Sequence, residues 1–179
     1  ALNEEAGMQI CSWPAGTEQP MIPVPYSQET MHGFEYAAAI HMIQCGMVEQ
    51  GLTVVRGVRD RYDGERRNPW NEIECGSNYA RSMATYALLN AFSGFRFDLA
   101  NGFIGFAPLD RNRSAFRCLW ALDGAWGEVI YAADTVMLRV LRGVLALVAC
   151  DFGVQVADVT VDDQEIDCKY PGIKGLVLR

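Results

Sequence analysis

The feature that most constrains this chain is a change of hydrophobic period near Phe95. Before it, apolar residues recur at helical spacing. After it, short runs rich in β-branched and aromatic residues alternate with turn signals. From about Gly33 to Cys45 the residues Tyr36, Ala37, Ala38, Ala39, Ile40, Met42 and Ile43 are apolar on nearly every face. That pattern predicts a buried helix, ended by Gly46. A second helix is predicted from about Val48 to Tyr62, with Val48, Leu52, Val55 and Tyr62 as its stripe and Arg56, Arg59, Asp60 and Arg61 on a wet face. A third is predicted from about Asn78 to Phe92, striped by Ala80, Met83, Ala84, Ala87, Leu88 and Ala91 and closed by Ser93-Gly94.

The second half reads as strands over Phe116 to Leu122, Glu128 to Tyr131, Val136 to Leu141, Val144 to Cys150 and Val154 to Val161. Turns are marked by Asn101-Gly102, Asp123-Gly124 and Asp151-Phe152-Gly153. Composition alone leaves Val136 to Cys150 open to a helix; its valines and Gly143 favour strands. Residues 1 to about 32 show neither period and are punctuated by Pro14, Pro20, Pro23 and Pro25. Such a segment is either functional or the frayed edge of a longer fold.

Charge narrows the partners. With a net charge of -7 and no Lys/Arg run, the chain lacks the basic surface that phosphate backbones require, so no nucleic-acid partner is expected. The longest apolar stretch, about Ala37 to Met47, is interrupted by His41 and Gln44 and is too short to span a bilayer. Ala1 to Glu5 shows no basic region followed by an apolar one, so no signal peptide and a cytoplasmic location are expected. The six cysteines, Cys11, Cys45, Cys75, Cys118, Cys150 and Cys168, show no C-x-x-C and no Cys/His pair at zinc spacing. They read as reduced, mostly buried thiols, with no metal and no cofactor expected.

The densest polar constellation is Asn68-Pro69-Trp70-Asn71-Glu72-Ile73-Glu74-Cys75-Gly76, followed by Tyr79 and Arg81. Two carboxylates two residues apart share a side of an extended loop. Arg81 falls in the first turn of the third predicted helix, where a cation opposes the helix dipole, so it asks for an acidic partner. Either Glu72 and Glu74 pin the loop to the helix through it, or the carboxylates, the guanidinium and the aromatics Trp70 and Tyr79 form a sugar site. His41, on the apolar helix, reads as a hydrogen-bonded core residue, and no Ser/His/Asp or Cys/His triad is visible.

These residues carry a resemblance. Glu29 to Ala39, Arg59-Asp60-Arg61-Tyr62-Asp63-Gly64, Asn68 to Gly76 and Tyr79-Ala80-Arg81-Ser82-Met83-Ala84 resemble glycoside hydrolase family 116, and Ser93-Gly94-Phe95 and Gly105-Phe106-Ala107-Pro108 extend the match over roughly residues 26 to 110. The family includes β-glucosidases, β-xylosidases and the non-lysosomal glucosylceramidase. The resemblance implies an α+β chain made of the late helices of an α/α six-hairpin barrel followed by a small antiparallel β extension, with residues 1–110 in the catalytic region and 111–179 in the extension. It implies retaining hydrolysis by two carboxylates about 5 Å apart. Neither local motif around that pair is recognisable here, so no catalytic residue is assigned and the pair is expected upstream. Glu72 and Arg81 match the family's sugar contacts, and Glu29 a further acidic contact. The expectation is a C-terminal fragment of a retaining β-glycosidase, binding a β-glucoside or related carbohydrate alongside an upstream part of the same enzyme; the other reading is a non-catalytic carbohydrate-binding or assembly module.

Overall fold

The computed structural model describes residues 4–21, 26–27, 29–71, 81–109, 115–132 and 135–154, and the backbones of Val159–Val161, Gln164–Ile166 and Leu176–Leu178. Two compact units divide the chain, Ala1–Leu88 and Leu89–Arg179.

In the first unit, α1 (His32–Gln44) and α2 (Val48–Arg61) pack together across a three-residue connection. The connection turns at Gly46, whose φ of +83° is a conformation that glycine adopts without strain. The Met47 amide then donates to the Met42 carbonyl at 2.8 Å and the Gly46 amide to that of Ile43 at 3.0 Å, closing the end of α1. The helices approach most closely at Gly51. A Cβ there would lie 2.6 Å from Ile43 Cγ1 and 2.7 Å from the Ala39 carbonyl oxygen. Their buried faces differ from those read in the sequence. Helix α1 buries one side, His32, Glu35, Tyr36, Ala39, Ile40 and Ile43, and leaves Phe34, Ala37 and His41 exposed. Helix α2 buries Arg61 with Gly51 and Val58, although Arg61 was assigned to the wet face.

The reason is an ion pair. Arg61 meets Glu35 in the interior, each side chain 2% exposed. Desolvation of two charges is offset only if their remaining hydrogen-bonding capacity is filled. Residues 4–11 supply much of what is needed. The Ala6 carbonyl accepts from Arg61 Nη1, and the Met8 amide donates to Glu35 Oε1 at 2.8 Å. Arg61 also reaches the Gly57 carbonyl at 3.1 Å. Arg67 clamps Glu5 at 2.6 and 3.0 Å, and the Ile10 amide donates to the Glu29 carbonyl at 3.1 Å. Residues 5–8 of the segment that shows no period thus form a strap bonded to the helix pair and the loop after it.

Beyond it, Arg81–Thr85 forms a 3₁₀ turn that runs into the short α3 (Tyr86–Ser93). Residues 78–80 of the third predicted helix lie outside the described residues. From Arg96 onward every described element is a strand: β1 (Arg96–Asp98), β2 (Phe103–Gly105), β3 (Phe116–Ala121), β4 (Ala125–Tyr131), β5 (Val136–Gly143), β6 (Leu145–Leu147), β7 (Ala149–Asp151), β8 (Val159–Val161), β9 (Gln164–Ile166) and β10 (Leu176–Leu178). Val136 to Cys150 is therefore strand. β3, β4 and β5 form an antiparallel meander, with a register shift at Trp126/Gly127. β2 pairs antiparallel with β1 and parallel with β7. The core of this unit gathers Ile104, Phe106, Cys118, Trp120, Ala125, Val129, Leu145 and Leu147. On the opposite face of the meander, Glu128 is nearly buried between Arg117 (Nε at 2.5 Å) and Arg139 (Nη1 at 2.8 Å).

This architecture corrects the expectation of an α/α six-hairpin barrel. The described residues hold three α-helices and several small sheets, a mixed α+β arrangement. The third helix is only eight residues long, and Gly94, at φ +60°, turns the chain directly into β1. A Cβ at Gly94 would sit 2.3 Å from the Ala107 carbonyl oxygen, so the turn is fixed by a close backbone approach. Among the described residues no helix is long and apolar enough to cross a membrane.

Candidate functional site

Four segments of the first unit converge on a cavity of about 290 Å³. Helix α1 contributes His32 and Tyr36, one turn apart on its buried side. Helix α2 contributes Val58 and Arg59, and Tyr62 follows its last residue. The next loop brings Pro69 and Trp70. The 3₁₀ turn adds Ser82, Met83 and Thr85, and Tyr86 completes the wall. His32, Tyr36 and Tyr62 are buried, whereas Trp70 is 65% and Tyr86 70% exposed. The cavity therefore has a polar aromatic floor and an open aromatic rim.

The ion pair behind the floor explains why it forms. Glu35 precedes Tyr36, and Arg61 precedes Tyr62; the charged residues point into the helix interface and the strap, and the tyrosines meet the cavity. The His32 ring stands edge-on to Tyr62, with centroids 4.5 Å apart and planes at 62°. Burial pushes the His32 imidazole down to about 4, helped by the guanidinium charges of Arg61 and Arg81. It is a neutral ring at physiological pH. Burial also holds the Tyr36 phenol above its usual range, against the opposing charge and hydrogen bond of Arg59. At neutral pH the floor thus offers a neutral imidazole and a phenol, the wall a guanidinium and the Ser82 and Thr85 hydroxyls, and the rim two aromatic faces.

The residues singled out in the sequence are distributed as follows. Arg81 opens the 3₁₀ turn rather than an α-helix. Its stem fills the space left by Gly33, where a Cβ would lie 2.7 Å from Arg81 Cβ, and its Cζ sits 5.2 Å from the Phe34 ring centroid. Arg81 does not itself line the cavity, although its neighbour Ser82 does, and it acts on His32 through its charge. Glu29 does not line the cavity; its backbone ties the strap to the start of α1. Glu72, with Glu74 and Tyr79, lies outside the described residues. Trp70 is brought to the site. Tyr36, Arg59 and Tyr62 were not singled out by their chemistry, although all three lie inside the stretches that carry the family resemblance.

Two further expectations are corrected. His41 is exposed, not a core residue, because it lies on the side of α1 facing away from α2. The thiols are not mostly buried: among the described cysteines Cys118 is buried, Cys11 and Cys150 are intermediate and Cys45 is exposed. Compared with known proteins, the chain matches no family model and none of the curated proteins.

Proposed function

We propose that this chain is the C-terminal portion of a retaining β-glycosidase and that the cavity binds the sugar ring of a β-glucoside or a related glycoside. One observation carries the reading. Four of the six stretches that resemble glycoside hydrolase family 116 place residues on the same cavity: His32 and Tyr36, Arg59 and Tyr62, Pro69 and Trp70, Ser82 and Met83. They span some fifty positions of sequence, yet they meet at one place.

The chemistry agrees with a sugar. Ligand cavities run from about 300 to 1,000 Å³, so a cavity at the small end suits one ring better than an extended aglycone. Fixed hydroxyl, imidazole and guanidinium groups match the alternating donors and acceptors of a polyol, and the faces of Trp70 and Tyr86 suit its C–H surfaces. In this proposal Arg81 and Glu72 bind ring hydroxyls, Glu29 is a further acidic contact, and bond cleavage uses a carboxylate pair supplied outside this stretch. The same cavity would serve a binding module without catalysis, and hydrolysis of an aryl β-glucoside by the full-length protein separates the two.

Saturation-transfer NMR with methyl β-glucoside tests the binding. Losing a hydrogen bond from a charged group removes about 1.5–3 kcal/mol, so Arg81→Ala should bind roughly tenfold to a hundredfold more weakly. Its stem also packs against Gly33 and its Cζ lies over Phe34, so the melting temperature is measured beside the affinity and the affinity loss is read on folded protein. Unchanged saturation in Arg81→Ala and Trp70→Ala, with stability lost in both, would remove the reading.

A further inference from the structure

We propose that the C-terminal end of α1 carries a second, unrelated site: His41 and Cys45 form a two-donor site for a borderline-soft d¹⁰ cation, of which Zn²⁺ is the type. Residues four apart share one helix face, and this pair spans the last turn of α1. His41 Nε2 and Cys45 Sγ lie 3.9 Å apart, and both residues are exposed. The spacing His-x₃-Cys is not a C-x-x-C, and sequence inspection passes over it.

The distance decides what the pair can hold. Zinc bonds run to about 2.3 Å for sulfur and 2.0–2.1 Å for nitrogen, and a triangle with those sides and the observed separation opens at the metal to about 125–130°. That angle lies between tetrahedral and linear, so the observed separation suits one ion bound to both donors. Thiolate and imidazole select borderline and soft metals; the hard cations Mg²⁺ and Ca²⁺ take oxygen ligands. The helix field adds to this, because the C-terminal end carries the negative pole and favours a cation. The carbonyls of His41, Met42 and Ile43 are already engaged by the amides of Cys45, Gly46 and Met47, so the two side chains are the donors.

The other described thiols contrast with this one. Cys118 Sγ donates to the Leu119 carbonyl at 3.3 Å and is buried, and Cys11 Sγ donates to the Ser27 carbonyl at 3.5 Å. Cys45 alone among the described thiols stands exposed beside an imidazole. When the metal binds, the thiol releases its proton to solvent as the sulfur–metal bond forms, the imidazole binds as the neutral ring, and water fills the remaining positions.

Titration with Co²⁺ tests the site, because a thiolate bound to cobalt gives a charge-transfer band. The expected result is a band that saturates at one ion per chain, is displaced by Zn²⁺ and vanishes in Cys45→Ser. His41→Ala should weaken binding at least about tenfold, since even outer-sphere partners of metal ligands contribute that much. Both variants should keep the wild-type helical circular dichroism, because neither side chain packs in the core. The proposal is overturned by no band, by a band that survives Cys45→Ser, by equal affinity in His41→Ala, which would mark adventitious binding to a thiol, or by one ion shared between two chains.

Discussion

Acid should weaken the first unit through a single imidazole. His32 is fully buried, and its folded pKa is about 4 against about 6.5 for a free side chain. The folded state therefore binds fewer protons than the unfolded state between those values. Stability rises with pH wherever the unfolded state binds more protons, so the contribution is intact above the unfolded value and falls as the pH drops toward the folded one. That gap corresponds to about 3 kcal/mol, of which about 2 kcal/mol should be lost between pH 7 and pH 4.5. That is a large share of the stability of a small domain. Urea unfolding followed by circular dichroism at both pH values, in the wild type and in His32→Gln, isolates the effect. Carboxylate titration is common to both proteins and cancels in the difference. His32→Gln should lose about 2 kcal/mol less than the wild type over this range. Equal losses would show that His32 protonates in the folded protein at its ordinary pKa, and the picture of a neutral ring held beside Tyr62 by burial and two guanidinium charges would fall.

Glu35→Ala leaves the Arg61 charge buried and should cost about 3–5 kcal/mol in urea unfolding; Glu35→Leu with Arg61→Met should recover most of that, and a double variant no more stable than Glu35→Ala would refute the assignment. Gly127→Ala would place a Cβ 1.9 Å from the Arg139 carbonyl oxygen and 2.8 Å from the Trp120 ring, so thermal unfolding should show a loss at the upper end of, or beyond, the roughly 1–3 kcal/mol of overpacking. Gly124→Ala, whose nearest neighbour lies at 3.8 Å, should change stability by no more than about 0.5 kcal/mol, and similar losses in the two would contradict the described meander. Trp70→Ala should leave the melting temperature within about two degrees of the wild type, because the side chain is mostly exposed, and lower affinity for methyl β-glucoside in the same saturation-transfer measurement.

Local chemistry was legible in the sequence and distant pairing was not. Asn101-Gly102 and Asp123-Gly124 announce their turns because the residues that tolerate such backbone geometry are few. Helices α1 and α2 follow from spacing alone to within a residue or two. Arg61 was misread because an amphipathic pattern sends charge to water unless the partner is visible, and its partners, Glu35 and Ala6, lie 26 and 55 positions away. The all-round apolar look of α1 hid which side faces α2; the small residue that decides it, Gly51, sits on the other helix. The parallel pairing of β2 with β7 joins strands some forty-five residues apart, and no turn signal encodes it. At the site, Trp70 and Arg81 drew attention by residue type, whereas Tyr36 and Tyr62 look like ordinary helix apolars until the charged residues beside them are seen to face the other way.

The strap settles where the chain can be cut. A piece beginning at the first helix keeps every described helical and strand residue, and by those elements it would look complete. It would nevertheless lose the Ala6 carbonyl and the Met8 amide, and with them two of the bonds that make a buried guanidinium and carboxylate tolerable. Trimming there should give a protein that expresses but unfolds early, exposing Arg61 to protease at a site the intact protein hides. For recombination, splicing or engineering, the smallest exchangeable block therefore begins at least as early as Glu5, and helices borrowed from this chain without their leading residues carry an unsatisfied charge pair into their new host.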